Sequence, residues 1–346
     1  MSVTNIKDVA ARAGVSPKTV SRVINGERHV RADKRERVLE VVRELDYKPN
    51  AFARSLSSSR SYLLGLLIDD PASGYAAEVQ LGALIRCREK HYHLIVERVE
   101  RSSADWRAEL STSLKVMRLD GIILTPPLCD DTGLLTLLEE AHIPFVRVAP
   151  GAAEEVSGFI RMDDRSAAAE MTQHLISLGH RRIGFIKGDP AHGATAARFE
   201  GFVLEMTRSK LTVDQDVICE GDFSSRSGFA ETERLLSLAQ PPTAIFASND
   251  DMALGALMAA MRRGLSVPHT LAIAGFDDAP TSRVTWPQLT TVHQPKAAMA
   301  AEAVDILTDP AYRDNMAEPI YRRALDYRLM IRGSTDASAT PVSDTV

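Results

Sequence analysis

The hydrophobic positions of this chain follow one rhythm up to residue 45 and another beyond residue 60. Ile6, Val9, Ala10 and Ala13 recur at helical spacing; so do Val20, Val23 and Ile24, and then Val38, Leu39, Val41, Val42 and Leu45. Breakers separate these stripes. Thr4 or Asn5 is placed to cap the first helix and Gly14 to end it in a left-handed turn. Ser16 caps the second, with Pro17 in its first turn, where a missing N–H costs nothing. Asn25-Gly26 ends that helix, and Pro49 follows the third. Asn50 then predicts the cap of a brief helix, Ala51–Leu56, and the serine-rich run after it predicts a linker.

Beyond residue 60, short apolar strands are predicted near 63–68, 93–97, 120–124, 144–148, 158–161, 182–186, 216–219, 243–247 and 270–275. Amphipathic stretches such as 76–90, 166–177, 194–207, 227–238 and 250–262 lie between them. Such alternation predicts parallel sheets covered by helices on both faces. The strands are too many for one tidy sheet, and the rhythm restarts after Arg161. Two α/β lobes with a cleft between them follow. The expected organisation is a helical head (1–48), a hinge helix and linker (49–60) and a two-lobed body (61–332). Lobe 1 takes 61–160 and 293–320; lobe 2 takes 162–290 and 321–332, ending in a strand near 324–331. The polar tail, 333–346, lacks periodicity and is expected to be disordered.

Composition changes this picture little: 45% hydrophobic and 25% charged residues are an ordinary globular balance. No apolar run is long enough to span a bilayer, and "MSVTNIKDVAARAG" lacks a secretory core, so a cytoplasmic location is expected. Cys87, Cys129 and Cys219 form neither a metal spacing nor an even disulfide set. Charge is more telling. Residues 1–60 hold 13 Lys and Arg against seven Asp and Glu, a net +6, whereas the remainder carries −11. A basic head on an acidic body is what a chain needs when only the head meets a polyanion.

The second helix explains that asymmetry. Lys18 and Arg22 are four residues apart and share a face, Pro17 and Ser21 form the adjoining row, and Asn25 extends it. Val20, Val23 and Ile24 lie opposite, ready to bury against Val9, Ala10 and Val15. The product is a helix-turn-helix whose second helix fits the major groove of DNA, where Lys or Arg reads guanine acceptors. Thr19, Ser21 and Asn25 suit phosphate contacts. A helical hairpin serving only as an interaction module would explain the buried valines but not the coherent basic face.

"IKDVAARAGVSPKTVSRVING" and "VRADKRERVLEVVRELDYKPNAFARSL" closely resemble the DNA-binding head of the LacI (lactose/galactose repressor) family of bacterial transcription regulators. The resemblance continues through "LISLGHRRIGFIKG", "RFEGF", "FASNDDMALGA", "LAIAGFDD" and "LTTVHQP". It implies a homodimer on a pseudo-palindromic operator and a body like periplasmic sugar-binding proteins that senses an effector. It also implies DNA contacts at Thr4, Ser16, Asn50 and Ala53, with Leu56 wedged into the minor groove from a hinge helix. Pro17 departs from the pattern: it offers only apolar contact where relatives hydrogen-bond bases, which shifts base choice toward Lys18 and Arg22.

Several residues suit a small polyhydroxylated ligand in the cleft. Arg198 offers a bidentate fork. Asn249 and Asp277 each follow an apolar strand, and ligands of open α/β sheets bind at the carboxyl ends of strands. Phe223 is placed to stack on a sugar ring. Asp69, Tyr75 and Arg161 are the candidates from the first lobe, and the resemblance adds Gln294. Helix capping is the competing role for Asn249, and core packing for Phe223. No phosphate loop, nucleophile elbow or metal spacing appears, so neither an enzyme nor a resident cofactor is expected. A sensor of a sugar, controlling genes of carbohydrate use, is the reading; whether the effector releases or promotes DNA binding stays open. Arg22→Ala is expected to weaken operator binding by about 1–3 kcal/mol and relax choice at one base position, measured by anisotropy titration on an operator library.

Overall fold

The computed structural model describes residues 5–24, 30–47, 60–151 and 156–339, and the chain divides after Tyr62 into two compact units. In the first, helices α1 (Ile6–Ala13), α2 (Pro17–Ile24) and α3 (Ala32–Glu44) enclose one core. Asn5 is the residue that caps α1. Its Oδ1 accepts from the Lys7 N–H at 2.8 Å while Asp8 accepts from the Asn5 N–H, a reciprocal capping box. Gly14 closes α1 at φ +65°, a conformation that strains any other side chain. The Thr19 N–H donates to Ser16 Oγ at 3.2 Å at the start of α2. Leu39, expected inside, is exposed. Val38 and Val41 already occupy the side of α3 that faces α1 and α2, and each helical step turns the next residue about 100° away.

The second unit begins with strands β1 (Leu63–Ile68), β2 (His93–Arg98), β3 (Gly121–Leu124), β4 (Phe145–Val148) and β5 (Gly158–Arg161). Helices α4 (Gly74–Glu89), α5 (Trp106–Met117) and α6 (Thr132–Glu140) connect the first four. The second lobe holds β6 (Ile183–Lys187), β7 (Ile218–Glu220), β8 (Ala244–Ala247), β9 (Ala272–Ala274) and β10 (Thr291–His293). Its helices are α7 (Asp164–Ser177), α8 (Gly193–Arg208), α9 (Ser225–Leu236), α10 (Asp250–Arg262) and the short α11 (Thr281–Val284). Helix α12 (Lys296–Thr308) returns to lobe 1, where it packs on α4, β3, β4 and β5. Strands β11 (Arg322–Ala324) and β12 (Arg328–Met330) finish the chain.

The sheet of lobe 1 runs β11-β5-β4-β3-β1-β2 and that of lobe 2 β7-β6-β8-β9, all neighbours parallel. β10 pairs antiparallel with β12, and bridges Ala274–Thr290 and Asp277–His293 join this pair to the end of β9. Each central strand is buried along its length, as a sheet covered on both faces requires. No helix among the described residues is long and apolar enough to cross a membrane.

Two boundaries differ from expectation. The strand predicted near 324–331, and with it the assignment of 321–332 to lobe 2, splits. β11 lies beside β5 in lobe 1 and β12 beside β10 in lobe 2. The chain therefore crosses between lobes within one apolar-polar run whose pattern cannot show which sheet edge it meets. The tail is ordered through Ala339 rather than disordered from 333. Buried Ser334 donates to Ile273 O at 2.6 Å and accepts from the Thr290 N–H at 2.8 Å, and Thr335 shares hydrogen bonds with Thr290 and His174. Polar residues without periodicity still order where a sheet end offers them partners. Residues 340–346 lie outside the described residues.

Arg332 fastens this segment. Its guanidinium is buried and donates to Asp278 Oδ1 at 2.6 Å, and to Ser282 Oγ and Leu289 O at 3.0 Å. Asp278 also accepts from Arg283 at 2.9 Å and lies 3.0 Å from His293 Nδ1. Burial pushes the Asp278 carboxyl up, but the hydrogen bonds from His293, Arg283 and Arg332 outweigh it and hold the group well below the usual carboxylate range. Arg332→Met is expected to cost about 3–5 kcal/mol, because it leaves a buried carboxylate short of its partner. A folded value below the unfolded one means that the Asp278 contribution is present above about pH 4 and is lost as pH falls further. Denaturant unfolding of wild type and variant across that range measures both.

Candidate functional site

The head presents one basic face. Ser16, just before α2, and Pro17, Lys18 and Arg22 on it are exposed and Thr19 and Ser21 half-buried, while Val20 and Val23 are buried. The hydroxyls of Ser16 and Thr19 lie 3.0 Å apart, so the start of the helix is tied before any ligand arrives. Thr4, Asn25, Asn50, Ala53 and Leu56, and with them the hinge helix, fall outside the described residues.

Between the lobes, the structure gathers Arg198, Asp277, Gln294 and Tyr75. Arg198, on α8, is buried with its guanidinium 3.8 Å above the Phe276 ring. Its Nε donates to Asp164 at 2.8 Å and its Nη1 to Ser248 O at 2.5 Å, and Asp277 Oδ1 lies 3.9 Å from it. Asp277 follows β9 in the left-handed region, φ +123°. Its carboxylate accepts from the Gln294 amide, and its carbonyl from Lys296 Nζ at 2.6 Å. Burial pushes the Asp277 carboxyl up, and Lys296 and Arg198 pull against it. Asp250, at the start of α10, is pushed up by burial and then by the charge on Asp277, although Thr291 Oγ1 and the Ala279 N–H both donate to it. The Tyr75 phenol oxygen is buried near Asp164, Asp277 and Arg198. It has no hydrogen-bond partner among the described residues, and neither has Ser248 Oγ. Burial raises the Tyr75 pKa, so the phenol keeps its proton and can donate.

The other candidates have different positions. Asn249 caps α10, Oδ1 accepting from the Met252 N–H, and its Nδ2 donates to Phe223 O at 2.9 Å. It therefore holds the loop of Phe223. That ring fills the space over Gly188, where a Cβ would lie 2.0 Å from it, and meets the His192 ring edge-on at 5.1 Å. Asp69 is half-exposed beside Arg101 at 3.5 Å. Arg161 is exposed over the Phe159 ring of its own strand, and the structure does not draw it into the Arg198 group.

Asp164, Ser248, His192 and Lys296 complete the cleft and were not singled out from the sequence. Asp164 stands in "MDD" at a helix start, and Lys296 opens α12 ahead of an alanine-rich stretch; both signals are readable but weak. At the edge of the cleft the lobes meet backbone to backbone. A Cβ on Gly193 would lie 2.1 Å from the Gly151 Cα, and the Gly151 N–H donates to Asp130 at 2.8 Å.

Residues 5–50 match the model of bacterial regulatory proteins of the lacI family, and residues 172–335 that of the periplasmic binding protein-like domain. The chain is 36% identical over 309 residues to the HTH-type transcriptional repressor PurR of Actinobacillus pleuropneumoniae serotype 3 (strain JL03), covering 89% of this chain and 91% of that one. The chain belongs to the LacI family. It is a DNA-binding transcriptional regulator. Among solved structures, this LacI-family chain is similar to the transcriptional regulator CelR–cellobiose complex, with TM-score 0.73, 31% identity and coverage of 96% and 99%. It is likewise similar to the lac repressor dimer bound to operator and the anti-inducer ONPF, with TM-score 0.78, 28% identity and coverage of 96% and 99%.

The Gly151–Gly193 contact makes lobe closure in this LacI-family protein testable without a ligand. Gly193→Val is expected to hold the lobes apart at this edge while leaving both cores intact. Small-angle scattering would show a larger radius of gyration, and calorimetry little change in Tm.

Proposed function

We propose that this regulator is a repressor of carbohydrate-use genes, acting as a homodimer on a pseudo-palindromic operator and sensing an uncharged sugar between its lobes. One observation carries the ligand class. The Arg198 Nε already donates to Asp164 and its Nη1 to Ser248 O, whereas the buried Tyr75 phenol, near Asp277, and the buried Ser248 hydroxyl have no hydrogen-bond partner among the described residues. A phosphate or carboxylate would compete with Asp164 for that arginine. Sugar hydroxyls instead answer Tyr75 and Ser248 and donate to Asp277. The Phe223 ring, held by Asn249, supplies an apolar wall. CelR with cellobiose, and the lac repressor with operator and ONPF, support the same assignment of head and cleft by likeness.

Dimerisation finds support in apolar surface on both lobes. Leu81, Leu84 and Ile85 lie along one face of α4, and Met258 and Met261 on α10, all well exposed in the single chain. Paired heads would then meet two half-sites, with Lys18 and Arg22 on base edges, Thr19, Ser21 and Asn25 on phosphates, and Leu56 at the centre.

A thermal-shift screen of neutral sugars, sugar phosphates and purines on the full chain tests the ligand class. Only neutral sugars are expected to raise Tm; stabilisation by purines or phosphorylated compounds alone would overturn it. Asp277→Ala is expected to abolish that stabilisation, since such hydrogen-bonded sites discriminate by factors of roughly 10⁴, while operator binding persists without response to the sugar.

A further inference from the structure

Lys296 opens α12, "KAAMAAEAVDIL", and its side chain has no exposed surface. A buried ammonium is unfavourable unless partners answer it. Its partners come from both sides of the cleft: Glu78 Oε1 on α4 at 3.0 Å, and the carbonyl oxygen of Asp277, in the opposite lobe, at 2.6 Å. The residue after it, Ala297, touches α4 backbone to backbone; a Cβ at Gly82 would lie 2.1 Å from Ala297 O. Packing within lobe 1 therefore fixes where the lysine stands. Asp277, by contrast, holds φ +123°, which a non-glycine residue keeps only where its surroundings impose it. We infer that Lys296 is a positioning residue for effector recognition, pinning the Asp277 main chain from the opposite lobe and holding its carboxylate as a charged acceptor. This inference rests on the sugar reading of the cleft.

The charges around Asp277 give the inference a measurable sign. Facing it are Lys296 from α12, Arg198 from α8, Asp250 and Asp251 from α10, and Tyr75 from α4. Burial and the neighbouring carboxylates push the Asp277 carboxyl up; Lys296 is the first of the groups opposing them, ahead of Arg198. Without the ammonium, Asp277 takes up a proton at higher pH, and a protonated carboxyl presents an O–H where a ligand hydroxyl needs an acceptor. Effector affinity then falls on the acid side.

The test uses the full chain with Lys296→Gln, and with the Glu78→Gln/Lys296→Met pair, which removes the Glu78 charge together with its partner. Carboxyl carbon NMR of aspartate-labelled protein follows Asp277, its resonance assigned with Asp277→Asn. Without ligand, the Asp277 midpoint is expected to rise by about one pH unit in both variants. With cellobiose as the probe, calorimetry is expected to show a weakening that grows as pH falls through the Asp277 midpoint that the titration locates. An unchanged midpoint overturns the inference, because a lysine that merely fills space would not move it. A wild-type chain that binds neither cellobiose nor any other sugar counts against the sugar reading alone, and the ligand-free titration still decides the role of Lys296.

Discussion

A largely enclosed carboxylate at the seam of two lobes, Asp277, sets the terms for the rest of the body. Buried charge is tolerated only among donors, and no single element supplies enough of them. Gln294 reaches it from the segment after β10 and Arg198 from α8, while Lys296, from the far lobe, holds the carbonyl of the same residue. Arg198 in turn needs Asp164 and Ser248 O, and Lys296 needs Glu78. Each answer recruits another element, so one acid ends up organising helices from both lobes.

The same logic explains the neighbouring Asp278. Its carboxylate takes Arg283, His293 and Arg332, and the last of these draws the C-terminal segment across the sheet end. Two adjacent aspartates thus face different tasks. Asp278, saturated by cations, is structural and ionised. Asp277, held by one amide and by more distant cations, keeps capacity for a ligand. Such a division is what binding requires, because a fully satisfied acceptor gives a ligand nothing to gain.

Lobe movement follows from how the lobes are joined. The chain crosses between them after β5, between β10 and α12, and between β11 and β12, and each lobe keeps its own sheet and core. One contact between them lies at Gly151 and Gly193, and a ligand that prefers one arrangement shifts the equilibrium by its differential affinity, typically about 1–3 kcal/mol. Residues 1–60, head, hinge and linker together, stand apart electrostatically, their net +6 against −11 elsewhere confining attraction for DNA to one end of the chain.

Local periodicity by itself determined much of this protein. The caps of α1 and α2, the valines of the head core, the basic face of α2 and the alternation of β and α all depend on neighbours within a few residues. So does the position of Asn249 and Asp277 after strands. Tertiary structure decided the rest. Leu39 turns outward because Val38 and Val41 already fill the covered side of α3. Residues 322–330 serve two sheets because two edges compete for one run. Ser334 and Thr335 order because a distant sheet end meets their hydroxyls. Asn249 proves to be a cap that holds Phe223, Arg161 stands outside the cluster, and Lys296 enters it. A side chain's partners in a buried polar cluster come from residues far away in sequence, and no local pattern encodes which of them will meet it.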